Sequence, residues 1–261
     1  QLARVSAVKY HETVWSDVFP GNYHTAQCVE PAVLAAEFAL DLSAKRRKRT
    51  VWRLDGGAGS EKHMHWLMQR DYHILAKGLN NRRSHALARQ VQRWDPYRDI
   101  LLGEVPAPQG YPRPVRIFVI QRQENGKLHH NYYVTTLKLP SKKRFLAAYE
   151  ARGGAEVEQF RGDKQALGLS ARRKRSFLGQ KAYILLTDLA HNLLADFYHQ
   201  ALVDSRFAAY GLKRIVRDLL STPGLLVFHG NQLKRVELLS LKQFSGDLLI
   251  CLERYFSGEL K

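Results

Sequence analysis

Apolar and polar positions alternate along QLARVSAVKY and again along TVWSDVF. Both runs are rich in β-formers and PGN follows as a turn, which predicts two antiparallel strands over residues 1–19. The period then lengthens. EPAVLAAEFALDLSAKRRK reads as a helix, with Pro31 suited to its first turn and a basic C-terminal end. TVWRLD returns to strand and runs into GGAGS. SEKHMHWLMQRD is a second helix with Ser60 as its cap, and YHILAKGL is the next strand. Residues 80–140 change character: NNRRSHALARQVQRWD is polar and partly helical, and PAPQGYPRP is a proline-rich loop. VRIFVIQRQENGKLHHNYYVTTLKL is a hairpin with Asn125-Gly126 at its turn. From Lys142 the pattern is helical. In SFLGQKAYILLTDLAHNLLADFYHQAL the apolar positions 178, 182, 185, 186, 189, 193 and 197 share one clean helical face. A further helix is expected over 207–220, a strand or hairpin in GLLVFHGNQLKRVELL, and a helix at the end. No repeat or low-complexity tract interrupts the chain.

The order ββαβαβ, an insertion, then helices describes an α/β layered domain. It divides into 1–79, a β-rich insertion over 80–140, and a mainly helical part over 141–261. The length of 261 residues allows one large domain, alone or with an insertion. Apolar residues at 45% and charged residues at 25% are ordinary for a globular chain; a net charge of +17 is not. Such an excess points to nucleic acid before an anionic membrane surface. No apolar run approaches a membrane span. The two cysteines, Cys28 and Cys251, have no zinc spacing, so a reducing cytosol is the expected compartment. The chain opens on Gln1 rather than Met, which suggests a cut N-terminus.

Between Ser141 and Arg175 stand ten Lys/Arg and four acids. A surface that only holds a polyanion gains nothing from carboxylates; one that also holds a metal ion needs them. Asp55 closes a strand before GGAGS. It suits a metal ligand with glycines that let substrate backbone approach, and it equally suits a turn-initiating Asp. An acid there would lie at the carboxyl edge of the sheet, where α/β folds usually place chemistry. Tyr149, Arg152 and Glu156 share a helical face, as phosphate donors beside a metal-binding acid or as a solvated, salt-bridged surface. The runs KRRKR (45–49) and RRKR (172–175) are phosphate contacts or solubilising charge at helix ends. His63 and His65 point to different sides of one helix, so they do not share a metal. His129-His130 has the same surface or packing reading, and Tyr132-Tyr133 reads as core packing before base stacking. No GxxxxGK[ST] loop, no GxGxxG after a strand and no GxSxG elbow is present.

Together these segments resemble a bacterial insertion-sequence transposase of the DDE type, with an RNase H-like catalytic domain. The group concerned ends its signature in Tyr, two residues, Arg, three residues, Glu, six residues, Lys. YEARGGAE matches its first three members as Tyr149, Arg152 and Glu156, and RLDGGAGS matches the second-aspartate motif at Asp55. LTDLAHNLLADF is similar to the group's apolar helix with an Ala-His/Tyr-Asn-Leu-Leu core. The resemblance covers nearly the whole chain. It implies an RNase H-like mixed sheet flanked by helices and metal-dependent phosphodiester hydrolysis and strand transfer at transposon ends. It further implies Mg²⁺ (or Mn²⁺) on Asp55 and Glu156, double-stranded DNA held by Tyr149, Arg152, Lys164 and Arg172, Arg173, Lys174 and Arg175, and a dimer assembled on DNA. A cytoplasmic, nucleoid-associated location and no membrane go with it. Two positions depart from the pattern. Asp163 stands where the group has Lys, with Lys164 one later; either a π-turn absorbs the extra residue, or Glu158 is the catalytic acid. The helical angle, about 20° between Glu156 and Tyr149, favours Glu156. The group's first Asp has no counterpart, as if it had gone with the N-terminus, so the 261 residues are expected to be inactive alone although their parent would cut; a DNA-binding remnant that occupies ends without cutting is the alternative.

Overall fold

Strand β1 (Leu2–Ala7) and strand β2 (Glu12–Val18) pair as a separate two-stranded sheet, as the alternation predicts. The computed structural model describes residues 1–170 and 175–256, and the side chains within those ranges except 152–158. Helix α1 (Thr25–Ala39) begins earlier than Pro31 implies. The Gln27 side chain accepts the His24 N–H at 2.8 Å, a cap that lies upstream of the proline and starts the helix there. Pro31 therefore falls in the interior. The expected single helix also breaks: Asp41 takes φ 48°, and Ser43 caps a short second helix, α2 (Ala44–Arg47).

The chain then alternates β3 (Val51–Leu54), α3 (Glu61–Gln69), β4 (His73–Lys77) and α4 (Asn81–Ala88). Two strands absent from the sequence reading follow, β5 (Asp95–Tyr97) and β6 (Ile100–Val105). The hairpin β7 (Arg116–Glu124) and β8 (Lys127–Thr135) turns at Asn125 (φ 50°) and Gly126 (φ 75°), the two positive-φ positions that an Asn-Gly turn supplies. A mixed six-stranded sheet runs β3-β4-β8-β7-β6-β5. Only β3 and β4 are parallel, Val51 opposite His73 through Leu54 opposite Ala76. The segment 80–140 thus supplies four of the strands of the sheet that β3 and β4 begin.

Two compact units divide the chain, Gln1–Val5 with Asp17–Gly154, and Ser6–Ser16 with Ala155–Lys261. In the first, the sheet buries both faces, so its central strands alternate between two cores. Ile74, Ala76, Ile117, Val119 and Tyr132 pack with Val33, Met64 and Leu67 on one face. Leu75, Phe118, Ile120 and Tyr133 pack on the other with Phe145, Leu146 and Tyr149 of helix α5 (Lys142–Ala166). Phe118 and Phe145 stack at 4.2 Å, worth about 0.5–1.5 kcal/mol beyond the area they bury. The side chain of Glu37 in α1 accepts from Arg70, at the end of α3, and from the Tyr72 hydroxyl, which ties helix to helix across this unit.

The second unit is mainly helical. It holds the C-terminal part of α5 and α6 (Phe177–Phe197), which passes into a π-helical turn over 198–202. A one-turn helix, α7 (Leu212–Arg214), leads into a second π turn over 215–219. The hairpin β9 (Gly224–His229) and β10 (Gln232–Leu238) and helix α8 (Ser245–Phe256) complete it. Phe197, Ala201, Leu202, Phe207, Ile215, Leu219, Leu248 and Cys251 form its core. No helix of the described residues is long and apolar enough to cross a membrane.

Candidate functional site

The carboxyl end of the parallel pair β3–β4 is built by a tight turn. Asp55 follows Leu54, and its Oδ1 accepts the Ala58 N–H at 3.1 Å while its carbonyl accepts the same N–H at 3.2 Å. This is the turn-initiating role; the residue is exposed all the same, at the sheet's carboxyl edge. Of the glycines that follow, Gly59 has the strict requirement. A Cβ there would lie 1.7 Å from the Lys77 carbonyl oxygen, because the turn rests directly on the end of β4. Gly78 is as strict, since a Cβ would enter the Tyr132 ring at 1.9 Å. Gly56 is not: its nearest neighbour would be Lys77 Cδ at 3.7 Å, an ordinary contact.

The same loop delivers Glu61, the first residue of α3, to a cluster that the sequence reading missed. Its Oε1 accepts from the hydroxyls of Tyr111 at 3.2 Å and Tyr132 at 3.1 Å, and Arg83 Nη1 lies 3.3 Å away. Arg83 also donates to the Tyr111 hydroxyl at 3.1 Å. His65 is one turn further along α3, with Nε2 3.8 Å from Glu61 Oε2. Burial first, then the Glu61 charge, pushes the Tyr132 hydroxyl up to about 12 and raises Tyr111 as well. The arrangement keeps both phenols protonated as donors to one carboxylate. Glu61 reads only as a helix-opening acid in the sequence; its partners come from α4, β8 and the 106–114 loop, 22 to 71 residues away.

His63 is buried as a packing residue, with Nδ1 2.8 Å from Ser60 Oγ, and burial lowers its pKa. His130 meets His85 and Gln121 at the surface of β8. Tyr132 and Tyr133 are both buried, on opposite faces, as core residues.

On α5, Tyr149 lies in the core, edge-on to Tyr133 at 4.7 Å, rather than on an open face. The side chains of Arg152, Glu156 and Glu158 lie outside the described residues, as do Arg172, Arg173 and Lys174. Asp55 belongs to the first compact unit and Glu156 to the second. Lys164 and Arg175 are exposed. The expected π-turn between Glu156 and Lys164 is absent: α5 remains α-helical to Ala166. The reason is visible one residue earlier. Asp163 is fully buried, its Oδ1 2.6 Å from His191 Nδ1 on α6, and this pair fixes the register of α5.

His191 and Asn192 together form a clamp. His191 Nε2 donates to the His11 carbonyl at 2.7 Å. Asn192 accepts the Thr13 N–H and donates to the Thr13 carbonyl, each at 2.8 Å. The Ala-His-Asn-Leu-Leu stretch of the sequence therefore grips the tip of the β1–β2 hairpin, within the second unit.

Basic side chains divide between structural and open roles. Arg46 donates to the carbonyls of Leu40 and Asp41, and Arg47 to that of Leu42, so part of the 45–49 run caps the end of α1. Lys45, Lys48 and Arg49 are exposed. In the first unit a groove of about 330 Å³ is lined by Arg93, Asp95, Tyr97, Lys142 and Lys143. Asp95 sits 3.0 Å from Lys142 and 3.1 Å from Arg93. Its hydrogen bond from Lys142 holds its carboxyl below the usual range.

Among the described residues no three His, Cys, Asp or Glu side chains converge as a metal site. No protein-family model matches the chain, and no curated protein matches it either.

Proposed function

We propose that the chain is the catalytic part of a DDE-type transposase with an RNase H-like core, acting on duplex DNA at element ends. The observation that carries this reading is the strand-to-turn geometry of RLDGGAGS. It leaves Asp55 exposed at the carboxyl edge of the parallel pair, on a turn whose Gly59 admits no side chain. The net charge of +17 supports a polyanionic substrate. Exposed Lys164 and Arg175 would neutralise DNA phosphates, with Arg152, Arg172, Arg173 and Lys174 as further contacts. Tyr149 would act from within the core, by setting the pitch of α5, rather than by direct contact.

Mg²⁺ or Mn²⁺, when bound, would activate water or a 3′-hydroxyl and stabilise the leaving oxygen. Of the described carboxylates at the edge, Asp55 has one oxygen engaged by its own turn, and Glu61 is occupied by two tyrosines and an arginine. This donor set does not by itself hold two ions; the resemblance makes Glu156, or Glu158, the further acid. The second reading, a chain that occupies DNA ends without cutting, draws support from Asp163. It stands at the signature's lysine position and is committed to His191.

Two measurements test the proposal. Gel-shift affinity for duplex DNA should fall with salt, with a log–log slope of about −0.9 per phosphate contact; a flat titration removes the DNA reading. Nicking of element-end DNA in Mg²⁺ should be lost in Asp55→Asn and Glu156→Gln with binding intact. Glu158→Gln replaces Glu156→Gln as the dead variant if the acid is Glu158. These nicking assays use the chain with the group's first Asp restored upstream; binding without nicking by that restored chain establishes the second reading.

A further inference from the structure

The face of α6 that its periodicity marks for burial is the exposed one. Ile184, Thr187, Asp188, His191 and Leu194 are buried, while Phe177, Leu178, Leu185, Leu186, Leu189 and Leu193 face outward. Leu178 is 77% exposed, Leu186 65% and Leu189 57%. Ala182 is the remaining exposed position between Phe177 and Phe197, so every exposed position of this stretch is apolar, with Lys181 and Asp196 half-buried. A solvated helix face is normally polar, and a quarter of this chain is charged.

We propose that this stripe docks a second copy of the chain, two α6 helices packing against each other across a twofold axis. Three features select that occupant. The stripe is complementary to itself, as a twofold interface requires, and needs no chemistry from another partner. Six large apolar side chains at 46–77% exposure form a patch on the order of 600 Å² per copy. That is the upper limit for a monomer's patch, and about 1,200 Å² for the pair is the threshold of a specific interface. Leu178, Ala182, Leu185 and Leu189 follow steps of four, three and four, the seam of two packed helices, with Ala182 as the small residue at a close approach. A polyanion has no contact to make with such a surface, so this association does not depend on DNA.

The charge of the chain gives the proposal a distinctive signature. Two copies at +17 repel, and salt screens that repulsion while leaving apolar contact intact. Self-association should therefore strengthen with salt, opposite to DNA binding. The test is sedimentation velocity on the nucleic-acid-free 261-residue chain at low and high salt. A dimer whose dissociation constant falls severalfold at high salt is expected. Leu185→Glu with Leu189→Glu should weaken it at least about tenfold, with unchanged circular dichroism and melting. A parent chain monomeric to about 100 µM at both salt concentrations overturns the proposal, as does a folded double variant that dimerises normally. Should the double variant misfold, Leu189→Cys decides. Cys28 and Cys251 are each 2% exposed and do not compete. With copper–phenanthroline as oxidant, two thiolates lose one electron each to copper and join as a disulfide. Covalent dimer is expected from Leu189→Cys and not from Lys234→Cys on the exposed side of β10. Equal yields from the two overturn the proposal.

Discussion

Gly56 and Gly59 look alike in the sequence and differ sharply in the structure. An added methyl at Gly59 collides with the Lys77 carbonyl oxygen at 1.7 Å, and a backbone atom cannot swing aside; at Gly56 it meets only a flexible lysine stem at 3.7 Å. Gly59→Ala is expected to cost about 3 kcal/mol or more and Gly56→Ala less than about 0.5 kcal/mol, read by urea denaturation. Equal costs would mean the turn does not rest on β4. Tyr132 gives a second expectation. Its hydroxyl is raised from 10 to about 12 in the folded chain by burial and by Glu61. A group raised on folding contributes stability that is complete below its unfolded value and lost as pH climbs. The chain should weaken between about pH 10 and 12, and Tyr132→Phe should flatten that decline while costing about 1 kcal/mol at neutral pH. Absorbance at 295 nm against pH, with melting at each point, checks both. Asp55 was legible because a strand-ending Asp before glycines is a local pattern. Glu61 was not, because its tyrosines come from distant segments that only the sheet brings together.

Elements whose signal is local were read correctly. Asn125-Gly126 specifies its turn by two positive-φ residues, and Ser60 specifies the start of α3 by a hydroxyl that accepts the His63 N–H at 3.3 Å. Elements with competing local signals were misplaced. Pro31 fits a first turn, yet the His24–Gln27 cap upstream starts α1 before it. α6 shows the deeper limit: its period fixed a helix, but periodicity cannot say which face a protein buries. His191 faces inward because it meets Asp163 and the His11 carbonyl there, and Thr187 can be buried beside it because its hydroxyl donates to the Tyr183 carbonyl. Two element-scale outcomes follow from the clamp. Asn192→Ala should cost about 2–3 kcal/mol and raise hydrogen exchange at the Thr13 amide selectively. Asp163→Ala, which leaves His191 buried opposite an alanine, should cost about 3–5 kcal/mol in chemical denaturation. A cost under about 0.5 kcal/mol for either would show that the hairpin tip is held by something else.

At the scale of the molecule, seventeen uncompensated positive charges oppose compaction. The melting temperature should rise as salt increases from very low values, and rise further with a saturating polyanion such as heparin, which binds the folded surface. A melting temperature indifferent to both would remove the charge from any role in stability or binding. The clamp on Thr13 carries a different consequence, one of timing. Thr13 is bonded to a residue 179 positions later. At roughly 5–20 residues per second, the hairpin tip is made roughly 10–35 s before Asn192. A two-stranded ribbon is marginal alone in water, so during that interval β1 and β2 stay open edges. The β1–β2 tip is thus finished only when residues far downstream arrive, and until then its strand edges are open to any partner that pairs with them.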